Sequence, residues 1–151
     1  MRCSVVEEWL GRLLVVVQFA LLAWLAWRGV QAPSIPIGAA MAGVVSVLLG
    51  LWALASNPPG NFNIRPTPHP DGQMISAGPY RWVRHPMYAA VLLFGVACAW
   101  ADASWDGWLA TAPLAVVLTC KALMEERWML SLHPGYAAYR AGTARIFPGI
   151  F

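Results

Sequence analysis

The chain has 151 residues, 59% hydrophobic and only 11% charged, with a formal net charge of +3. An ordinary soluble domain is nearer a quarter charged, so this composition leaves too little polar surface for a water-soluble fold. The charge is also too small and too scattered for a nucleic-acid-binding surface, whereas it suits contact with anionic lipid heads.

In chain order, four apolar segments stand out. The first covers about 9–27, with Arg12 near its start and Gln18 as a polar interruption. It follows Glu7 and Glu8, is long for a signal-peptide core and precedes no small-x-small cleavage site, so it reads as a retained span. The second covers about 37–55, between Pro33 and Pro36 on one side and Asn57-Pro58-Pro59-Gly60 on the other. The third, about 86–100, is short, and the fourth covers about 105–123. Asp102 and Asp106 mark the boundary of these two, and Glu125 and Glu126 follow the last.

Crossing a bilayer takes about 20 apolar residues, and backbone in hydrocarbon must satisfy its own hydrogen bonds. The segments are therefore expected to be four transmembrane helices. They are too long and too continuously apolar for the alternating strands of a barrel. The predicted fold is an all-α integral membrane protein, a single membrane domain over residues 1–151. Its nine tryptophans fit a protein with headgroup-level anchors. Ala42, Ser46 and Gly50 recur along the second span and would permit close helix packing.

Basic residues set the expected orientation. With four spans, one side holds Arg2, Arg12, Arg65, Arg81, Arg84, Lys121, Arg127, Arg140 and Arg145, while the other holds Arg28 with Asp102 and Asp106. Both termini, the loop 57–85 and the tail 125–151 are thus expected on the cytoplasmic face of the inner membrane. The loop is stiffened by Pro58, Pro59, Pro66, Pro68 and Pro70 and reads as shaped. Arg65 and His69 are expected only to shape it. Cys3, Cys98 and Cys120 form no CxxC pair and no metal-ligand spacing, so neither a disulfide framework nor a metal site is expected.

The polar residues gather at the mouths of the spans. In Arg84-His85-Pro86-Met87-Tyr88, Pro86 suits the first turn of a helix. A helix start carries partial positive charge, to which Arg81 and Arg84 add full charges, and His85 and Tyr88 share a face. Lys121 and Glu125 stand one helical turn apart. A carboxylate at the C-terminal end of an apolar helix runs against the dipole, and if buried it needs a cationic partner. Tyr136, Tyr139 and Arg140 lie on one face of a further short helix, either an interfacial anchor or a lid. Together these parts describe a ligand with a negative end, a positive end and an apolar or aromatic body, as in an amino acid fused to an adenine-like group.

At "MISAGPYRWVRHPMYAAVLLFG" and, further on, "EERWMLSLHPGYAAYRAGTARIFPGI", the chain resembles the isoprenylcysteine carboxyl methyltransferase family. It also resembles the wider group of integral-membrane methyltransferases that includes the phospholipid N-methyltransferases. The likeness covers residues 60 to 151 and rests on Gly-x-Tyr, Arg-His-Pro-x-Tyr, a Glu-Glu pair and Tyr-x-x-Tyr in series. It implies an S-adenosylmethionine-dependent methyltransferase, with S-adenosylhomocysteine as product, in a cytoplasmic pocket built from the middle loop and the tail. Cofactor contacts are expected at Met74, Ile75, Tyr80, His85, Pro86, Met87 and Tyr88, and at Glu125 for the cofactor's amino group. Glu126, Lys121 and Arg84 are the candidates for the reacting end.

The resemblance also implies a lipid or lipid-like acceptor carrying a carboxylate, amine or thiol, which reaches the site from the surrounding membrane lipids. An amine would have to lose a proton, and Glu126 or His85 could take it. Lys121 stands where eukaryotic members have Arg, and Lys cannot make the same two-pronged carboxylate contact. The alternatives are a small four-span transporter and a non-catalytic scaffold. Transporters place ionisable groups near the midplane of their spans, however, and this chain gathers them at one face.

Overall fold

The computed structural model describes residues 5–61, 64 and 72–149. Arg2, Cys3, Arg65 and His69 lie outside the described residues. The structure is all helical: α1 (Val5–Val30), α2 (Ile37–Ala55), a 3₁₀ turn (Gly78–Arg81), α3 (Pro86–Asp102), α4 (Trp105–Leu132) and α5 (Tyr136–Ala141).

Local chemistry sets several boundaries. Glu7 and Glu8 fall in the first turn of α1 and Arg28 in its last, each complementing the helix dipole. Pro86 opens α3 at a position where its missing N–H costs nothing. Ala103 adopts a left-handed conformation, φ 53°, and ends α3. There Arg28 of α1 pairs with Asp102 at 3.1 Å and reaches Asp106 at 3.8 Å. Ser104 accepts from Arg28 and donates to Asp102.

Successive helices run antiparallel. The Arg28 cluster marks one end of the bundle, where α1 meets the α3–α4 turn. Trp52 near the end of α2 packs against Trp82 just before α3 with the rings tilted, marking the other. The segment between α2 and α3 and everything after α4 therefore share an end with the start of α1. Helix α3 is central, packed against α1, α2 and α4.

The α2–α3 contact is made by small residues. Ala39, Ser46 and Ala53 are buried, and Ser46 donates to the Ala90 carbonyl at 2.8 Å. A methyl group added at Gly43 or Gly50 would come within 4.0 Å of Ala97 or 3.7 Å of Ala90, respectively. Positions 39, 43, 46, 50 and 53 form a single stripe, so backbones approach closely without bulky knobs. Ser46 and Gly50 belong to the stripe expected from the sequence, and Gly43 adds to it. Large apolar side chains point outward elsewhere, among them Trp9, Leu13, Val16, Ile37, Val44, Leu48, Leu109 and Val116. Such an exterior is stable against lipid and unstable against water.

Two expectations change. Among the described residues, three helices, α1, α2 and α4, are long and apolar enough to cross a membrane. The four-span expectation fails on this measure at α3, whose 17 residues rise about 26 Å against a hydrocarbon thickness of about 30 Å. Its central position explains the tolerance, since neighbouring helices cover it. The fourth helix, conversely, does not stop near 123 but runs to Leu132. Met124, Trp128, Met129 and Leu132 carry an apolar stripe past the two glutamates, and packing continues the helix beyond the apolar run.

Gly78 sits at φ +58°, and a methyl group there would overlap the Ser56 hydroxyl, itself bonded to the Trp52 carbonyl at 2.8 Å. Gly78→Ala is expected to destabilise the fold by about 1–3 kcal/mol, through left-handed strain and the lost Ser56 contact. Thermal unfolding of the detergent-solubilised variant measures this, and an unchanged melting temperature would refute the close approach.

Candidate functional site

The site forms where the segment before α3, the C-terminal half of α4 and the tail meet. Backbone pairing brings two of these together. Arg84 N–H donates to the Ala144 carbonyl at 2.9 Å, His85 N–H to the Arg145 carbonyl at 3.0 Å, and Ala144 N–H to the Trp82 carbonyl at 3.0 Å. Val83 and Ala144 thus form an isolated parallel bridge.

Adjacent residues on a helix point about 100° apart, so Glu125 and Glu126 face different surroundings. Glu126 faces the tail and is 2% exposed. Arg84 Nε lies 2.9 Å from its Oε1 and Arg145 Nε 3.0 Å. Arg140 Nε lies 3.6 Å from Oε2, and His85 Nε2 lies 3.4 Å from Oε1 without hydrogen-bond alignment. Arg84 also donates to the carbonyls of Arg140 and Thr143. One buried carboxylate therefore joins α4, the start of α3 and the tail.

Glu125 faces a cavity of about 370 Å³. Among the described residues it is the cavity's single acidic side chain. The Tyr88 phenol donates to its Oε1, and His85 Nδ1 lies 3.3 Å from its Oε2. His85 and Tyr88 stack with ring centroids 5.4 Å apart and planes 8° from parallel. Burial disfavours the charged imidazole, but the adjacent carboxylates of Glu125 and Glu126 outweigh it and raise the His85 pKa above 6.5.

The cavity wall includes Met74, Ile75, Tyr80, Arg84, His85, Pro86, Met87, Tyr88, Lys121 and Glu125. Every residue expected at the site is thus gathered on one wall except Glu126, which stands behind it. The wall also holds residues beyond those expected to contact a ligand. Tyr136 and Tyr139 border it, and burial pushes both phenols up, Tyr139 to about 12, so both remain hydrogen-bond donors. Tyr139 donates to the Tyr80 carbonyl at 2.7 Å, fastening the tail over the 3₁₀ turn. Asn61 donates to Asn57 at 2.7 Å and exchanges two bonds with the Gln73 backbone. Nothing in the spacing of these amides signals the pairing. Gln18 also borders the cavity, and its sequence signal is its isolation in an apolar span.

At its apolar flank the cavity is bordered by Phe19 and Leu22 of α1, Val91 of α3 and Leu132 of α4. Among the described residues, no group of three or more His, Cys, Asp and Glu could hold a metal ion.

The profile of the phospholipid methyltransferase family matches residues 37–134. No curated protein matches the chain. The matched region covers α2, α3 and α4, leaving out α1 and the tail arginines Arg140 and Arg145.

Two outcomes follow from the electrostatics. Removing one partner of a buried ion pair strands the others, so Glu126→Ala is expected to cost about 3–5 kcal/mol. Glu125→Ala is expected to cost far less, and equal losses in unfolding experiments on the two variants would refute the division. A group whose pKa is raised by folding stabilises fully below its unfolded value, near 6.5, and loses that contribution as pH rises through the native value. The melting temperature should therefore fall as pH rises above about 6.5, and His85→Gln should flatten that slope.

Proposed function

The chain belongs to the phospholipid methyltransferase family and is an S-adenosylmethionine-dependent membrane methyltransferase, and we propose that the cavity beside Glu125 is where its cofactor binds. The single observation that carries this reading is Glu125 itself: one acid, held at the cavity wall by Tyr88 and His85 and pointed away from the arginines that surround Glu126. Such a carboxylate suits the ammonium of an amino-acid moiety. Arg84 and the start of α3 suit its carboxylate, and Tyr80, Tyr136, Tyr139 and Trp128 suit an adenine face. The volume falls in the range of about 300–1,000 Å³ usual for small-molecule sites. Membership in this family sets aside the transporter and scaffold alternatives.

When bound, the cofactor supplies an electrophilic methyl group on a sulfonium. The protein's part is to hold donor and acceptor in line and to keep water out. Glu125 holds the donor's charged end. Pro86 and Met87 fix the opening turn of α3 beside it, and Met74 and Ile75 add apolar lining. Glu126 stands outside the wall among three guanidinium groups, which gives it a structural part and not that of a base. His85 is held between two carboxylates and is better suited to orienting Glu125 than to taking a proton.

The acceptor in this reading is a lipid-like molecule that enters from the bilayer along the apolar flank of Phe19, Leu22 and Val91. The family's description favours a lipid headgroup. With nine of ten basic residues expected at the site end, that end faces the cytoplasm, and α3 completes a four-helix passage through the inner membrane.

Calorimetric titration of the solubilised protein with S-adenosylhomocysteine tests this reading. Wild type is expected to bind. Glu125→Ala should weaken binding by about tenfold or more, as expected for losing a charged hydrogen-bond partner. A folded wild type that binds nothing would defeat the assignment. Transfer of labelled methyl from S-adenosylmethionine into phosphatidylethanolamine, compared with carboxylate and thiol acceptors, then identifies the acceptor.

A further inference from the structure

Lys121 was expected at the reacting end, yet it is 1% exposed and its side chain is already engaged. Its ammonium has three N–H groups. One reaches Gln18 Oε1 at 2.7 Å and another the Ile64 carbonyl at 3.0 Å. The ammonium also lies 5.0 Å from the centre of the Tyr88 ring, within cation–π range. An acceptor carboxylate could take this cation only by stripping a buried amide or carbonyl of its partner.

We infer that Lys121 is a positioning residue: with Gln18 it latches α1 to the site and, through Tyr88, holds Glu125 in place. The contacts run without a break. Gln18 binds Lys121, Lys121 lies over the Tyr88 ring, and the Tyr88 phenol donates to Glu125. Lys121 and Glu125 stand one turn apart on α4 and share the face on which Tyr88 packs.

Gln18 is 6% exposed and is one of only three buried residues that α1 contributes, with Gly11 and Leu25. A polar side chain buried in an apolar helix is costly unless it is partnered, and its partner here is the one lysine of the chain. Helix α1 lies outside the region that the family profile matches. The latch therefore ties a helix outside the matched region to the wall of the site.

This inference rests on the reading that Glu125 receives the cofactor's ammonium. Its test is titration of the full-length solubilised protein with S-adenosylhomocysteine, using Gln18→Leu, Gln18→Glu, Lys121→Met and the double variant Gln18→Leu/Lys121→Met. Gln18→Leu and Lys121→Met are each expected to weaken binding by about tenfold. The double variant should bind no worse than Lys121→Met, because both changes break one link. Gln18→Glu keeps an oxygen for the ammonium and should restore affinity, which a merely structural defect would not do.

Unchanged affinity in both single variants would overturn the latch. So would Lys121→Met that binds S-adenosylhomocysteine normally but loses methyl transfer to phosphatidylethanolamine vesicles, since that result makes Lys121 an acceptor ligand. Should Lys121→Met not fold, the contrast between Gln18→Leu and Gln18→Glu decides the matter alone. A wild type that binds no S-adenosylhomocysteine defeats the cofactor reading, and the latch with it. That result is distinct from a wild type that binds while Gln18→Leu binds equally.

Discussion

The arrangement depends on one buried carboxylate. Glu126 gathers Arg84, Arg140, Arg145 and His85 around two oxygens. Arg84 and His85 come from the segment before α3 and Arg140 and Arg145 from the tail, so the ion cluster does what a hydrophobic core does elsewhere. It specifies which segments meet and in what register. Buried ions repay their desolvation only with near-complete partnering. Here the backbone carbonyls of Arg140 and Thr143 accept from Nη1 of Arg84, so the guanidinium is held from several sides. The parallel bridge between Val83 and Ala144 then follows as a consequence of docking.

This cage also frees Glu125. Two adjacent acids on a helix cannot face the same way, and the arginines stand on one side only. The neighbouring carboxylate is left with a phenol and an imidazole, and it retains access to the cavity. His85 takes part on both sides, since its two ring nitrogens approach different glutamates. The stability of the cage and the readiness of the cavity are therefore coupled through a single imidazole.

Depth in the membrane orders the rest. Lys121 lies one turn nearer the bundle interior than Glu125, where an unpartnered ammonium would be costly, and Gln18 and the Ile64 carbonyl meet that need. Around it the wall becomes apolar, with Phe19, Leu22 and Val91. The cavity thus grades from a charged end to an oily flank, which suits a polar donor and a membrane-borne acceptor in one space. The central, shorter α3 supports this gradient because its first turn begins at the charged end and its remainder is covered by the other three helices.

The number, order and approximate extent of the helices were legible in the sequence, because hydrocarbon requires long apolar runs and Pro86 marks a helix start. The Arg-His-Pro corner and the paired acids stood out in the sequence as a cluster, because two adjacent carboxylates at the C-terminal end of an apolar helix run against its dipole. The polar isolation of Gln18 was visible too, though not its partner. Only the tertiary structure decided that Glu126 faces the tail and Glu125 the cavity, that Arg145 completes the cage, and that Lys121 is already bound to Gln18. Each of these is a contact between residues far apart in sequence. Such pairings depend on how rigid helices rotate and slide against one another, and local chemistry specifies which groups need partners without specifying which partners they find.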